Sequence, residues 1–180
     1  MKFNPITRAR RGLLVLAASL GLVFGVLAVP AQAAPTLHYG GTVEIRAGHS
    51  GQCLEVADWS KANGAAVRQW PCTGGANQKW ELYYYTSTPV GAWYYRNANS
   101  GKCLEIGGWG RNNGATANQW DCHYGLNQLF HGDGKLYMDY DYAWSKCLEI
   151  ADWSTQPGAR ARLWSPRGPG SPGSRTPERP

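Results

Sequence analysis

The feature that most constrains this chain is a block of residues that occurs three times. The blocks start at Cys53, Cys103 and Cys147, and each reads Cys-Leu-Glu followed by Val or Ile, with a tryptophan six positions after the cysteine. A glycine then follows 11 positions after each cysteine, and another tryptophan follows 17 positions after it. Because recurrence at fixed offsets is the signature of a repeat architecture, three homologous units are predicted.

The first two repeats continue to a second cysteine and a closing block. Cys72 is followed by Asn77-Gln78-Lys79-Trp80, and Cys122 is followed by Asn127-Gln128-Leu129-Phe130. In the third repeat, Pro166 stands where this cysteine is expected, and no closing block follows. The repeats are therefore placed at about residues 41–82, 92–131 and 135–164, with the last repeat incomplete.

The local pattern within a repeat is typical of β-structure. Short runs at residues 43–45, 53–56, 66–70 and 79–82 are predicted as strands, and glycine and asparagine clusters between them supply turns. Residues 83–93 are interpreted as an aromatic-rich connection to the second repeat. Three repeats of four strands indicate an all-β fold, a β-trefoil, because a propeller of four-stranded blades needs more than three units.

The two ends of the chain differ from the repeats. Residues 1–33 combine a basic start, an apolar run and Ala31-Gln32-Ala33, which is typical of a secretory signal peptide; the alternative is a retained membrane anchor. Residues 34–164 form the predicted trefoil. Residues 165–180 contain five Pro, three Gly, three Ser and three Arg, and they are predicted to be a disordered tail. This abrupt change has two explanations, a frameshift or a natural linker.

Charge and motifs exclude several classes of function. The net charge is +6, but seven of the 18 basic residues and one of the 12 acidic residues lie outside residues 34–165, leaving 11 of each. A near-neutral domain without a basic patch argues against nucleic acid binding. No nucleophile elbow, phosphate loop or Cys-x-x-Cys pair is present, and the carboxylates recur by symmetry. We therefore expect no enzyme, no metal and no cofactor.

The repeat resembles that of the ricin B-type lectins. The resemblance rests on the Cys-Leu-Glu start and on the Gln-x-Trp close, which appears as Gln78-Lys79-Trp80 and, with Phe for Trp, as Gln128-Leu129-Phe130. It implies a β-trefoil that binds carbohydrate, commonly galactose-type or xylan-type glycans. Two alternatives remain open: a trefoil that binds or inhibits proteins without sugar activity, and an appendage separated from a glycosidase.

The resemblance also implies one sugar pocket in each repeat, built from a carboxylate, a polar partner, a stacking aromatic ring and an asparagine. The implied residues are Glu55, Arg68, Trp70 and Asn77; Glu105, Asn118, Trp120 and Asn127; and Glu149, Arg162 and Trp164. The family's usual Asp is Glu here, and its usual Gln is Arg or Asn. Arg68 and Arg162 are therefore candidates to pair with the carboxylates, and Asp58 and Asp152 are alternative carboxylates.

Simpler structural roles remain open for some of these residues. The site tryptophans could instead belong to the core, and the repeated Glu could hold a turn by accepting hydrogen bonds from backbone amides. Trp80 and Phe130 are predicted to be core residues.

The cysteines and the leader predict export. Cys53 and Cys72, like Cys103 and Cys122, are 19 residues apart, so we expect these two pairs to form disulfides, with Cys147 unpaired. Disulfides persist in oxidising compartments. The sequence thus predicts a secreted, extracellular protein that has no membrane attachment after signal cleavage. Its expected partner is a carbohydrate, and it is expected to be a monomer.

Overall fold

The computed structural model describes residues 36–87, 91–132, 135–138 and 146–166. Contacts divide the chain into residues 1–33 and 34–180, and every described residue belongs to the second unit. The predicted signal peptide lies outside the described residues. The predicted tail lies outside them from residue 167 onward.

The described chain consists of short strands joined by turns, as the repeat pattern predicts. The eleven strands among the described residues are β1 (Leu37–Val43), β2 (Cys53–Val56), β3 (Val67–Trp70), β4 (Trp80–Tyr85), β5 (Ala92–Asn97), β6 (Cys103–Ile106), β7 (Ala117–Trp120), β8 (Leu129–Gly132), β9 (Leu136–Met138), β10 (Cys147–Ile150) and β11 (Ala161–Trp164). Single turns of 3-10 helix follow strands β2, β6 and β10 and precede strands β4 and β8.

Strand pairing gives the β-trefoil that the sequence predicts. Strands β1, β4, β5, β8 and β9 pair in that order, all antiparallel, and form the barrel layer. The remaining strands form three antiparallel hairpins, β2–β3, β6–β7 and β10–β11. The hairpins join one another in a cycle, because the main-chain N–H groups of Gln69, Gln119 and Leu163 each donate to a carbonyl of a neighbouring hairpin.

Glutamine side chains strengthen two joints of this cycle. Gln69 Nε2 donates to the carbonyls of Ser154 and Gln156, and both bonds are shorter than 3 Å. Gln119 Nε2 makes the equivalent pair of hydrogen bonds to the loop of the first repeat. The third position of the cycle holds Leu163, which has no polar side-chain atom. At this joint Asn113 Oδ1 accepts hydrogen bonds from Lys146 Nζ and Ser165 Oγ instead, so all three joints have side-chain hydrogen bonds but only two have the glutamine pair.

The core lies between the barrel and the hairpins. Alternate positions of the hairpin strands, such as Val56, Leu104 and Leu163, point inward and are buried. Trp80 and Phe130 are completely buried, which confirms their prediction as core residues. Trp80 Nε1 also donates to the carbonyl of Leu54 at 3.0 Å, so its polar atom is satisfied.

Two strand predictions were wrong in their bounds. Strand β1 ends at Val43, so residues 44–45 lie outside it, whereas their equivalents Tyr94 and Tyr95 pair with strand β4 of the preceding repeat. Within the described residues, the third repeat has strands β9, β10 and β11 but no fourth strand, so residues 44–45 have no corresponding partner. The predicted connection at residues 83–93 is strand at both of its ends, because β4 extends to Tyr85 and β5 starts at Ala92.

Both predicted cysteine pairs form disulfides in the structure, Cys53–Cys72 and Cys103–Cys122. Each disulfide joins the start of a hairpin to the loop that leads into the fourth strand of the same repeat. Cys147 is a buried free thiol. The first two repeats are therefore closed covalently, whereas the third is not.

We expect Cys147 to be the single titratable thiol and to react slowly in the folded protein. Burial raises the pKa of this thiol, which lowers the fraction of reactive thiolate at neutral pH. Ellman's reagent should detect about one thiol per chain in denaturant without reductant, and the reaction should be much slower under native conditions. The Cys147→Ser variant should show none. Two or more reactive thiols would contradict the disulfide assignment.

Candidate functional site

Hairpin register brings the predicted site residues together in each repeat. Glu55 lies opposite Arg68, Glu105 opposite Asn118, and Glu149 opposite Arg162. Because side chains alternate along a strand, the tryptophan two positions after each of these partners lies on the same face. This face, opposite the core, carries one candidate pocket per hairpin.

In the first repeat the carboxylate is fully engaged within the protein. Glu55 is only 3% exposed and accepts hydrogen bonds from Arg68 Nε at 3.0 Å, Asn77 Nδ2 at 3.2 Å and Gln78 Nε2 at 3.1 Å. Arg68 also donates to Asp58 at 2.9 Å, and its guanidinium lies 4.6 Å from the centre of the Trp70 ring. The glutamate is thus held by side chains rather than by the backbone amides considered above.

The third repeat has the same arginine arrangement. Arg162 donates to Glu149 at 3.1 Å and to Asp152 at 3.0 Å, and its guanidinium lies 4.3 Å from the Trp164 ring centre. No amide side chain among the described residues donates to Glu149. The Glu149 side chain is 15% exposed, against 3% for that of Glu55. The pockets of repeats one and three therefore share a Trp–Arg–Asp chain. They differ in the amide side chains that donate to the carboxylate, which only the first of these two has among the described residues.

The second repeat lacks the arginine, and this frees part of its carboxylate. Glu105 Oε2 accepts hydrogen bonds from Asn127 Nδ2 at 3.3 Å and Gln128 Nε2 at 3.2 Å, and His123 Nε2 lies 3.5 Å from it. Glu105 Oε1, the counterpart of the atom that Arg68 binds in the first repeat, accepts no hydrogen bond from the described residues. The Oδ1 atoms of Asn118 and Asn127 are buried and also lack a hydrogen-bond partner in this part of the chain.

The site tryptophans are partly exposed, so they are not core residues. Trp70 is 37% exposed and Trp120 is 43% exposed, whereas Trp80 is completely buried. Trp164 has intermediate exposure. Each of these rings therefore offers apolar surface to solvent beside a polar pocket, as a sugar-stacking ring requires.

A second set of exposed tryptophans was not selected from the sequence. Trp59, Trp109 and Trp153 are about half exposed and have positive φ angles of 52–56°. The ring of Trp59 packs on Gly75, where an added Cβ would lie 2.8 Å from the ring, so that this close approach requires glycine. The recurrence of a tryptophan six positions after each cysteine was the signal that could have identified this set.

Asp121, which follows Trp120 in the chain, forms an ion pair with Lys102. Asn63 and Lys102 donate hydrogen bonds to Asp121, and these bonds lower the pKa of its carboxyl group. His123 stacks against Trp109 with ring centres 5.9 Å apart. In the described part of the chain, no group of three or more His, Cys, Asp or Glu side chains is arranged to hold a metal, and no helix there could cross a membrane.

Comparison with known proteins supports this fold. The family described as ricin-type beta-trefoil lectin domain-like matches residues 34–120 and 84–164. No curated protein sequence matches the chain. The designed three-fold symmetric protein ThreeFoil is 30% identical with a TM-score of 0.63, and the match covers 72% of this chain and 93% of that one.

Two natural structures are also similar. An exo-β-1,3-galactanase from Clostridium thermocellum is 25% identical with a TM-score of 0.57, over 77% of this chain but only 28% of the enzyme. The C-half of an earthworm R-type lectin, solved with GalNAc, is 16% identical with a TM-score of 0.56, over 72% of this chain and 92% of that one, and shows the fold alone. Because the family match spans most of residues 34–164 and agrees with the trefoil topology, the chain belongs to the ricin-type β-trefoil lectin-like family.

Proposed function

We propose that the protein binds carbohydrate through the outer faces of its hairpins, and that the second repeat contributes the strongest pocket. The observation that carries this proposal is the free Glu105 Oε1 beside the partnerless Asn118 Oδ1, with the Trp120 ring on the same hairpin face. In the other two repeats an arginine occupies the corresponding carboxylate oxygen. At this oxygen position, a ligand hydroxyl would therefore meet an acceptor that has no arginine partner only in the second repeat.

The residue types suit a pyranose. A sugar ring has an apolar C–H face, which an exposed tryptophan can cover, and hydroxyls that both donate and accept hydrogen bonds. A hydrogen bond from a hydroxyl to a carboxylate contributes about 1.5–3 kcal/mol before other costs. Glu105 supplies the carboxylate acceptor, Asn118 lies opposite it, Asn127 donates to it, and Trp120 supplies the stacking face. Galactose-type and xylan-type glycans are the proposed ligands.

We propose that the first and third pockets also bind sugar, with an arginine rather than a carboxylate as the polar group that faces the ligand. Arg68 and Arg162 each direct several N–H donors toward the exposed face, and a hydroxyl oxygen can accept from them. Their carboxylates Glu55 and Glu149 would act through the arginines, whereas Trp70, Trp164 and Asn77 keep the roles predicted for them. Several weak pockets on one molecule can engage a polymer together, so that avidity exceeds each single affinity.

The proposal also covers the location of the protein, its oligomeric state and its relation to catalytic domains. Export to an oxidising space is supported by the two disulfides. We propose that the protein is non-catalytic, because its carboxylates recur by symmetry rather than as a pair with distinct roles. We also propose that it is a monomer. Action as an appendage of a glycosidase is a second candidate, favoured by the galactanase of which a similar fold forms a part.

The direct test is to give the second repeat the arginine of the other two. We expect Asn118→Arg to weaken glycan binding at least about tenfold, because the guanidinium would occupy Glu105 Oε1 while the stacking ring remains. A panel of galactose-type and xylan-type polysaccharides identifies the ligand, and affinity electrophoresis or calorimetry measures the change. Trp120→Ala should have a similar effect, and Trp70→Ala combined with Trp120→Ala should abolish retention.

The matched control is Tyr39→Ala, which removes an exposed aromatic ring from the barrel rather than from a hairpin. Its binding should equal that of the unmodified chain. Circular dichroism and the melting temperature confirm that each variant folds. Full retention by a folded Trp70 and Trp120 double variant would contradict the assignment of these pockets, and the absence of binding to every glycan in the panel would contradict the proposed function.

A further inference from the structure

A cavity of about 790 Å³ opens beside the third repeat, and Glu149 of the third hairpin is part of its lining. Its apolar lining includes Ile45, Leu82, Tyr95, Leu136 and Leu148. These residues come from all three repeats and surround the place where the barrel passes from strand β9 back toward strand β1. We call this cavity the barrel groove.

The first two repeats show what fills the equivalent space. Their fourth strands, β4 and β8, place Trp80 and Phe130 in the core with no exposure. Strand β4 also pairs with β5, so that Trp80 lies opposite Asn97 and Leu82 opposite Tyr95. Shifted by the repeat length, Asn97 and Tyr95 correspond to Ala47 and Ile45, and both of these line the groove.

Two groups at the groove have partners in the other repeats but not here. Glu55 and Glu105 each accept hydrogen bonds from an Asn and a Gln of the closing block. Glu149 lines the groove and accepts from Arg162 alone among the described residues. Cys147 also lines the groove, and its counterparts Cys53 and Cys103 are both disulfide-bonded.

We propose that the barrel groove is a strand-acceptor site that binds an extended peptide carrying an Asn-Gln-x-aromatic block. The peptide would add its main-chain hydrogen bonds to the free edge at residues 44–47, in the mode of β-strand addition. Its aromatic side chain would fill the apolar cavity, and its two amides would donate to Glu149. The closing blocks of repeats one and two fill the equivalent spaces in the same molecule, and they define the chemistry expected of this peptide.

The tail that follows the third repeat lacks these groups. Residues 167–180 contain no cysteine, asparagine, glutamine or aromatic residue. They contain four of the chain's 11 prolines, and a proline has no N–H to give to a strand partner. Residues 167–180 therefore do not match the groove, and the occupant that does is an extended peptide with an Asn-Gln-x-aromatic block.

The probe is a labelled synthetic peptide with the sequence of residues 72–85, in which Cys72→Ser prevents disulfide exchange. We expect saturable binding to the full chain, measured by fluorescence anisotropy, and a rise in the melting temperature of the protein. The peptide with Trp80→Ala should bind at least about tenfold more weakly, because it leaves the cavity unfilled. The peptide with Asn77→Ala and Gln78→Ala should also lose about tenfold.

Variants of the protein separate the groove from the lectin pockets. Glu149→Gln should weaken peptide binding about tenfold, because it removes the charged acceptor. The matched control Asp152→Asn alters an exposed carboxylate that binds the same arginine and should leave peptide binding unchanged. A glycan that binds the second pocket, which shares no residue with the groove lining, should not compete with the peptide.

Chemical trapping tests the register. In a peptide that keeps Cys72 as its 2-thiopyridyl disulfide, the Cys147 thiolate would attack the peptide sulfur, form a Cys147–peptide disulfide and release one 2-thiopyridone. We expect this release to be faster than with a scrambled peptide and absent in Cys147→Ser.

Four results would overturn the proposal. They are no saturable binding to the full chain, equal binding of a scrambled peptide, competition by a glycan that binds the second pocket, and binding that appears only after residues 167–180 are removed. The last result would make the tail the resident occupant of the groove.

Discussion

Replacing residues 166–179 with a copy of residues 72–85 is expected to raise the free energy of unfolding by at least about 3 kcal/mol. The graft supplies a cysteine 19 residues after Cys147, and a disulfide that closes a loop of this size stabilises by about 3 kcal/mol in the chain-entropy model. It also supplies an aromatic ring for the barrel groove, and full burial of such a ring adds about 1.5–3 kcal/mol. The free thiol should disappear.

Urea unfolding and thiol titration measure this result. A graft that carries serine at the new cysteine position separates the packing contribution from the disulfide contribution. A second graft with alanine at the position of Trp80 should retain the disulfide and lose most of the gain in packing. If the complete graft unfolds like the parent chain and shows two free thiols, Cys147 and the grafted cysteine, the groove does not accept a fourth strand.

The second large effect concerns the strand that is already present. Trp80→Ala should lower the free energy of unfolding by about 3–5 kcal/mol, because it leaves a large void in the core and removes the hydrogen bond to Leu54. Phe130→Ala, at the equivalent buried position, should cost a similar amount.

Trp59→Ala is the control for Trp80→Ala, since Trp59 is the same residue type in the same repeat and is 54% exposed. Its cost should be about 1 kcal/mol or less. Equal losses for the buried and the exposed tryptophan, measured by denaturant unfolding, would show that the closing block does not anchor the core.

The fold was predictable because the same sequence pattern occurs three times in the chain. Three copies of one block predicted a three-fold trefoil without any knowledge of the individual strand pairs. The strand predicted at residues 53–56 also has the correct bounds, since a short run of this kind between turn residues can form few other structures. The strand expected at residues 43–45 was wrong because its pairing depends on a distant segment. Only the third repeat's closing block could complete it, and local pattern does not report such long-range partners.

The candidate site was only partly predictable. The cross-strand pairing of Glu55 with Arg68 follows from residue types and register. The difference between Glu105 Oε1 and its engaged counterparts depends on which of two oxygens each donor reaches, and a sequence does not specify this. Trp59 and its equivalents were passed over because a left-handed turn that presents a tryptophan on a glycine is a property of the folded loop.

The cycle of hairpins has a consequence for the dynamics of the second pocket. Gln69 and Gln119 each bind the loop of a neighbouring repeat by two side-chain hydrogen bonds, whereas at the third joint Asn113 accepts hydrogen bonds from Lys146 and Ser165. Asn113 belongs to the loop that follows Trp109, so the loop beside the second pocket is held by the incomplete third repeat. Local opening of that repeat would therefore loosen the second pocket as well, and a ligand bound there would oppose this opening.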